Sequence, residues 1–248
     1  MKKLYVVKTG TTYAPTARRF GDFDSWTLRG LGDLSMETQI LDAEQEAPLP
    51  DPGDCAGVVI TGSHAMVTDN LPWSVKLEQW ISLLLEWRTP VLGICYGHQL
   101  LARAASGKVG FHPLGMEMGT VAIQLLPEAA SDKLFQNIPS LFLAHVCHSQ
   151  TVLSLPPGAI GLARSDHESN HAFRIGECAW GVQFHPEYTA DIMRSYIEEE
   201  SEALIGSKLD AARLLHEVRE ARFAAETLSN FAQILECEAS GSEKGNKH

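Results

Sequence analysis

At 248 residues and 44% hydrophobic, the chain is long enough to bury one large core, since single cores stop growing beyond about 250–300 residues. Twenty basic against 31 acidic residues leave a net charge of −11, the wrong sign for neutralising nucleic-acid phosphates, so nucleic acid is excluded as the main partner and a small substrate is expected. Five cysteines, odd in number, widely spaced and without a CxxC pair, exclude a disulfide framework and read as reduced thiols.

The opening MKKLYVVKTG contains the apolar run LYVV (4–7), too short for the core of a secretory signal but suited to a buried strand. No later apolar run approaches the ~20 residues of a membrane span, so no membrane is expected and the cytoplasm is the expected compartment. CAGVVIT (55–61) and PVLGI (90–94) are two further buried-strand candidates. Between them NLPWSVKLEQWISLLLEW predicts a helix, with Asn70 as its cap and Pro72 in its first turn. Its Trp73, Leu77, Trp80, Ile81, Leu84 and Trp87 recur at helical spacing and read as core. Another helix is expected from about Gly97 to Ala105. Strand, helix, strand, helix in this order argues for an α/β fold with a parallel sheet and helices on both faces.

The second half is less regular. TVAIQLL (120–126), LFLAHV (141–146), AIGLARS (159–165) and WGVQF (180–184) are strand candidates between Pro and Gly turns. From Asp191 the pattern turns helical, and residues 210–236 predict an amphipathic helix, broken once, that closes the domain; a homodimer contact is the alternative use of its apolar face. The final EASGSEKGNKH (238–248) is polar and expected to be disordered.

The chemistry concentrates in GICYGHQLL (93–101). A strand ending at Ile94, Cys95 at a turn and a helix starting beside Gly97 describe a nucleophile elbow, in which small neighbours permit the tight turn and the helix N-terminus favours a thiolate. A thiolate needs a base and something to orient that base. GVQFHPEYT (181–189) supplies both: in extended chain His185 and Glu187 point to one side, so the carboxylate reaches the imidazole. A competing motif, HESNH (167–171), matches the zinc pattern HExxH, but that pattern requires a helix, and polar turn formers surround it here. No metal site is expected.

With GICYGHQ and FHPE both present, the chain resembles the class I glutamine amidotransferases, whose cysteine lies in a G-x-C-x-G-x-Q elbow and whose histidine and glutamate lie in an HPE motif. In spacing, and in ITGSHAMVTDNLPW and SNHAFRIG, it is most similar to stand-alone relatives of the GMP synthetase glutaminase domain. The resemblance spans roughly residues 1–200 and implies a flavodoxin-like, doubly wound, mostly parallel sheet; residues 201–237 then form a helical extension and 238–248 the tail. It further implies Cys95, His185 and Glu187 as a triad, the backbone N–H groups of Gly62 and Tyr96 as an oxyanion hole, Gln99 as an aid in holding the substrate, and His148 and Ser149 as a segment whose backbone meets it. The segment around Gly62 departs from the GGPxS form of the synthetase domain, which leaves open whether the hole is formed at rest. By the same analogy FGDFDSWTLRGLG (20–32) rims the site, and its Phe20, Phe23 and Trp26 either line an entrance or pack on the sheet.

The implied reaction hydrolyses the γ-amide of glutamine, or of a γ-glutamyl compound, through a cysteine thioester. It needs no metal or organic cofactor. A phosphate loop of the kind an ammonia-consuming synthase domain carries is missing from the sequence, so two uses of the triad stand open: a glutaminase handing ammonia to a separate synthase, or an autonomous γ-glutamyl peptidase. A non-catalytic regulatory binding protein is the third alternative.

Overall fold

The computed structural model describes residues 2–45, 47–207 and 209–245. In chain order the first half contains β1 (Lys3–Lys8), α1 (Ala14–Phe20), α2 (Phe23–Leu31), β2 (Thr38–Asp42), β3 (Cys55–Ile60), α3 (Pro72–Glu86), β4 (Val91–Ile94) and α4 (Tyr96–Ala104). The second half adds β5 (Lys108–Phe111), β6 (Glu117–Leu125), β7 (Leu141–His148), β8 (Gln150–Ser154), β9 (Ile160–Arg164), β10 (Ala172–Ile175) and β11 (Ala179–Val182). Four helices follow: α5 (Ala190–Glu199), α6 (Ser201–Gly206), α7 (Ala211–Glu217) and α8 (Arg222–Gly245).

Strands that are apolar at every position have both faces covered. In β1, Leu4 and Val6 enter one hydrophobic layer while Tyr5 and Val7 enter the other. The resulting nine-stranded sheet runs β2-β1-β3-β4-β11-β10-β9-β6-β7. Its first five strands are mutually parallel, and the other four continue antiparallel. β5 and β8 pair separately as an antiparallel ribbon. One face is covered by Leu77, Trp80, Ile81 and Leu84 of α3 with Leu100 and Leu101 of α4. Leu31 of α2 and Leu228, Phe231 and Leu235 of α8 cover the other.

The segment from 210 breaks once, as its pattern predicts, between α7 and α8. The apolar stripe of α8 is spent inside its own chain. Contact there is so close that a Cβ built on Gly57 of β3 would lie 2.4 Å from a Leu235 methyl, so the C-terminal helix shares one core with the sheet.

Four expectations need correction, the first being Trp87, read as core but 60% exposed where α3 has run out past the sheet. Residues 238–245, expected to be disordered, continue α8 to Gly245, because a helix anchored by Phe231 and Leu235 propagates without a new nucleation cost. The rest of the expected tail, 246–248, lies outside the described residues. Asn70 does not cap α3: it sits in the left-handed region (φ 52°) one residue early and donates to Thr68 O, and Leu71 precedes Pro72 instead. The stretch read as a rim loop contains α2, whose Asp22 and Ser25 form a reciprocal capping box. Within it Trp26 is packed, not lining an entrance, and its indole N–H donates to Phe20 O at 2.9 Å. Among the described residues no helix is long and apolar enough to cross a membrane.

Candidate active site

The elbow forms where β4 hands over to α4. Cys95 takes φ 49° and ψ −95°, a conformation that a residue with a Cβ adopts only at a cost of about 1–3 kcal/mol. Its neighbours make the turn possible: a Cβ on Gly93 would lie 2.4 Å from Gly97 O, and one on Gly97 would lie 2.4 Å from Ile60 O. The turn is pinned by Cys95 N–H donating to Val182 O at 2.8 Å. The thiol of Cys95 points to Cys147 O at 3.7 Å, and Gln183 Nε2 donates to the sulfur at 3.5 Å.

Just past β11, His185 is fixed from several directions. Its N–H donates to His145 O at 2.8 Å, tying it to β7. Its Nδ1 lies 2.7 Å from Glu187 Oε1, which turns Nε2 toward the hydrogen-bonding contact with the Cys95 sulfur. Tyr188 stacks on the ring at 4.0 Å and Phe23 at 6.5 Å between centroids. Burial pushes this imidazole down, but the Glu187 carboxylate and the Cys95 sulfur outweigh it, and the pKa rises to about 10. Neighbouring His145 goes the other way, to about 4, because it is buried and faces His185.

The Thr61–Gly62 peptide and the start of α4 meet at the elbow. Thr61 O accepts from Gly97 N–H at 3.3 Å and from Thr9 Oγ1 at 3.0 Å. In a trans peptide the N–H lies opposite the carbonyl, so the Gly62 N–H is aimed away from those partners. A Cβ on Gly62 would lie 2.9 Å from His185 Cε1, which places this peptide against the imidazole. Tyr96 N–H is a first-turn donor of α4, where helices leave such groups unpaired. No backbone carbonyl among the described residues accepts from either group.

A cleft opens over Cys95 and Tyr96, with Gln99, His148 and Ser149 also in its wall. The donor hydrogens of Gln99 are already committed: Nε2 gives to Gln150 O at 2.8 Å and to Gln183 Oε1 at 3.0 Å. Gln99 therefore fastens the residue that touches the sulfur, and only its carbonyl side is left for a ligand. His148 turns its ring inward, with Nδ1 3.0 Å from Gln150 O and Nε2 3.0 Å from Glu117 Oε2. Burial alone would raise the Glu117 carboxyl, but hydrogen bonds from His148 and His171 hold it well below the usual carboxylate range. HESNH forms a turn in which Glu168 accepts from Thr151 Oγ1 and from Asn170 N–H, and among the described residues no cluster is arranged to hold a metal ion.

Sequence reasoning missed Gln183, Glu117 and the cleft residue Glu200. A signal existed for Gln183, a lone amide in the apolar run WGVQF. None existed for Glu117, which meets His148 across 31 positions of sequence.

Comparison with known proteins places the chain among relatives of known family. The family described as glutamine amidotransferase class-I matches residues 20–201. Gamma-glutamyl peptidase 5 of Arabidopsis thaliana is 35% identical over 144 residues, 57% of this chain and 57% of that protein. A glutamine-hydrolyzing GMP synthase of Porphyromonas gingivalis is 33% identical over 181 residues, 72% of this chain. The chain thus spans just over half the length of the first relative and 33% of the second. The crystal structure of a glutamine amidotransferase from Methylobacillus flagellatus superposes with a TM-score of 0.75 at 26% identity, covering 96% of this chain and 95% of that one.

Proposed function

The chain belongs to the class I glutamine amidotransferase family, and on that premise we propose that it hydrolyses the γ-amide of glutamine or of a γ-glutamyl conjugate through a thioester on Cys95. The observation that carries the reading is the strained turn that presents Cys95 to an imidazole whose far nitrogen is 2.7 Å from Glu187. Cys95 Sγ attacks the γ-carbonyl carbon, and the charge that develops on oxygen is met by the N–H groups of Gly62 and Tyr96, each such donor being worth about 10²–10³ in rate. His185 Nε2 gives its proton to the leaving nitrogen, the C–N bond breaks, and a γ-glutamyl thioester is left. Water, deprotonated by His185, then releases glutamate and restores the thiol. These steps need no metal or organic cofactor.

Of the two uses of such a site, the pinned Thr61–Gly62 peptide favours hydrolysis by this chain alone, because a donor already held in place needs no partner to turn it. Transfer of ammonia to a separate synthase is the second reading, supported by similarity to a protein named as a glutamine-hydrolyzing GMP synthase. Five free cysteines support a reducing compartment such as the cytoplasm.

The test is glutamate release by the purified protein from glutamine and from a panel of γ-glutamyl peptides and amines. Release from a conjugate without any added protein supports the autonomous enzyme. No release from any of them, with Cys95 still alkylated at neutral pH, points to a partner-dependent glutaminase. No release and no alkylation leaves a binding protein, and the enzymatic reading fails.

A further inference from the structure

The cleft is electrostatically one-sided. Among its lining residues there is no lysine or arginine, and Glu200, at the end of α5, is the one carboxylate. Tyr13 Oη donates to Glu200 Oε1, and no basic side chain among the described residues pairs with it. Tyr13 also packs on His64, another lining residue, at 4.4 Å between rings. Burial pushes His64 down from its ordinary value, which keeps that ring neutral beside the carboxylate. The result is an anionic corner walled by aromatic faces, an environment that attracts a cationic nitrogen.

Its position assigns it to one end of the substrate. His64 lies edge-on to Phe23, and Phe23 stacks on His185. Tyr196, 3.3 Å from His64 Nε2 through its hydroxyl, packs on Tyr188, which also stacks on His185. Glu200 therefore lies on the His185 side of Cys95, while Gln99, Ser149 and Gln150 lie toward α4 and the β7–β8 turn. Since His185 must reach the leaving nitrogen, the leaving group departs on its side and the γ-glutamyl group occupies the other.

Building on the proposed hydrolysis, we propose that Glu200, braced by Tyr13 and set against His64, forms a leaving-group subsite that selects γ-glutamyl conjugates of diamines, whose leaving amine carries a second, cationic nitrogen. A leaving group ending in a carboxylate, as in a γ-glutamyl peptide, meets repulsion there.

The test compares three γ-glutamyl amides of equal reach, made from 1,4-diaminobutane, from pentylamine and from 5-aminopentanoate, which end in a cation, a methyl and an anion. In the native protein kcat/KM should rank them in that order, with about threefold to fivefold between successive members, the size of a partly exposed charge contact. Glu200→Gln should bring the first two to about the same value, and Tyr13→Phe should reduce their ratio by a smaller factor. A native protein that treats the diamine and pentyl conjugates alike, or a Glu200→Gln variant that keeps the ranking, overturns the proposal. So does a uniform loss that includes glutamine, which would place the carboxylate on the α-ammonium group instead. If nothing is hydrolysed, hydrolysis by this chain alone fails, yet calorimetry of the same three compounds on Cys95→Ala protein still judges the subsite: tightest binding of the diamine conjugate supports it, and equal affinities overturn it.

Discussion

Replacing Glu187 by glutamine keeps the shape of the site while removing the charge behind His185. At the observed 2.7 Å, two unit charges interact by about 6 kcal/mol at an effective dielectric of about 20. A neutral hydrogen bond returns about 1 kcal/mol, and relaxation of the buried ring returns some more. A net loss of about 3–5 kcal/mol in the transition state, where the imidazolium is needed, lowers kcat about 10²–10⁴-fold. The substitution also moves a titration. The raised His185 contributes stability that is complete below its unfolded-state value of 6.5 and is lost as pH rises through about 10. The native protein should therefore lose denaturant resistance across that window, and Glu187→Gln, lacking the carboxylate that raises the imidazole, should lose less. Steady-state glutamate release and urea midpoints at matched pH values read both effects. Activity within about tenfold of native, together with parallel stability curves, would refute the assigned role of the carboxylate.

Other substitutions probe other parts of the construction. Gly62→Ala puts a methyl 2.9 Å from His185 Cε1 and should lower kcat about tenfold or more by spreading peptide and imidazole, while KM changes little; a native kcat would show that the two do not cooperate. Gln99→Leu strips Gln150 O and Gln183 Oε1 of their donor and should cost about 1–3 kcal/mol in urea unfolding as well as activity. Loss of activity with stability intact would mean that Gln99 serves the substrate directly. Leu235→Ala empties a buried position between α8 and β3 and should destabilise by about 2–5 kcal/mol; a silent substitution would contradict a core shared with the C-terminal helix.

Elements buried on both sides were the ones legible in sequence. LYVV, CAGVVI and PVLGI have no polar position to confuse a reading, and each became a parallel strand of the sheet. TQILD of β2 is an edge strand with Gln39 and Ile40 exposed, so its pattern carries no such mark. The capping box at Asp22 has Ser25 where the usual signature has Glu or Gln, so α2 carries no strong start signal and only the family analogy spoke for that stretch. Around the site, what sequence could place was local: the elbow lies within five residues, and His185 and Glu187 are two apart. What it could not place were long-range pairings, such as Glu117 with His148 and His171, or Tyr13 with Glu200. His148 shows the consequence: the resemblance implies a role for its backbone, and nothing in the sequence foretells that its ring is turned inward to Glu117.

The central claim is a γ-glutamyl thioester on Cys95, and the most direct measurement is acid-quenched peptide mass mapping during turnover of a γ-glutamyl amide. The account predicts a γ-glutamyl adduct on Cys95 that vanishes when substrate is exhausted and is absent from the other four cysteines. Glutamate release that continues in Cys95→Ala protein, or an adduct on Cys147 in place of Cys95, would contradict it.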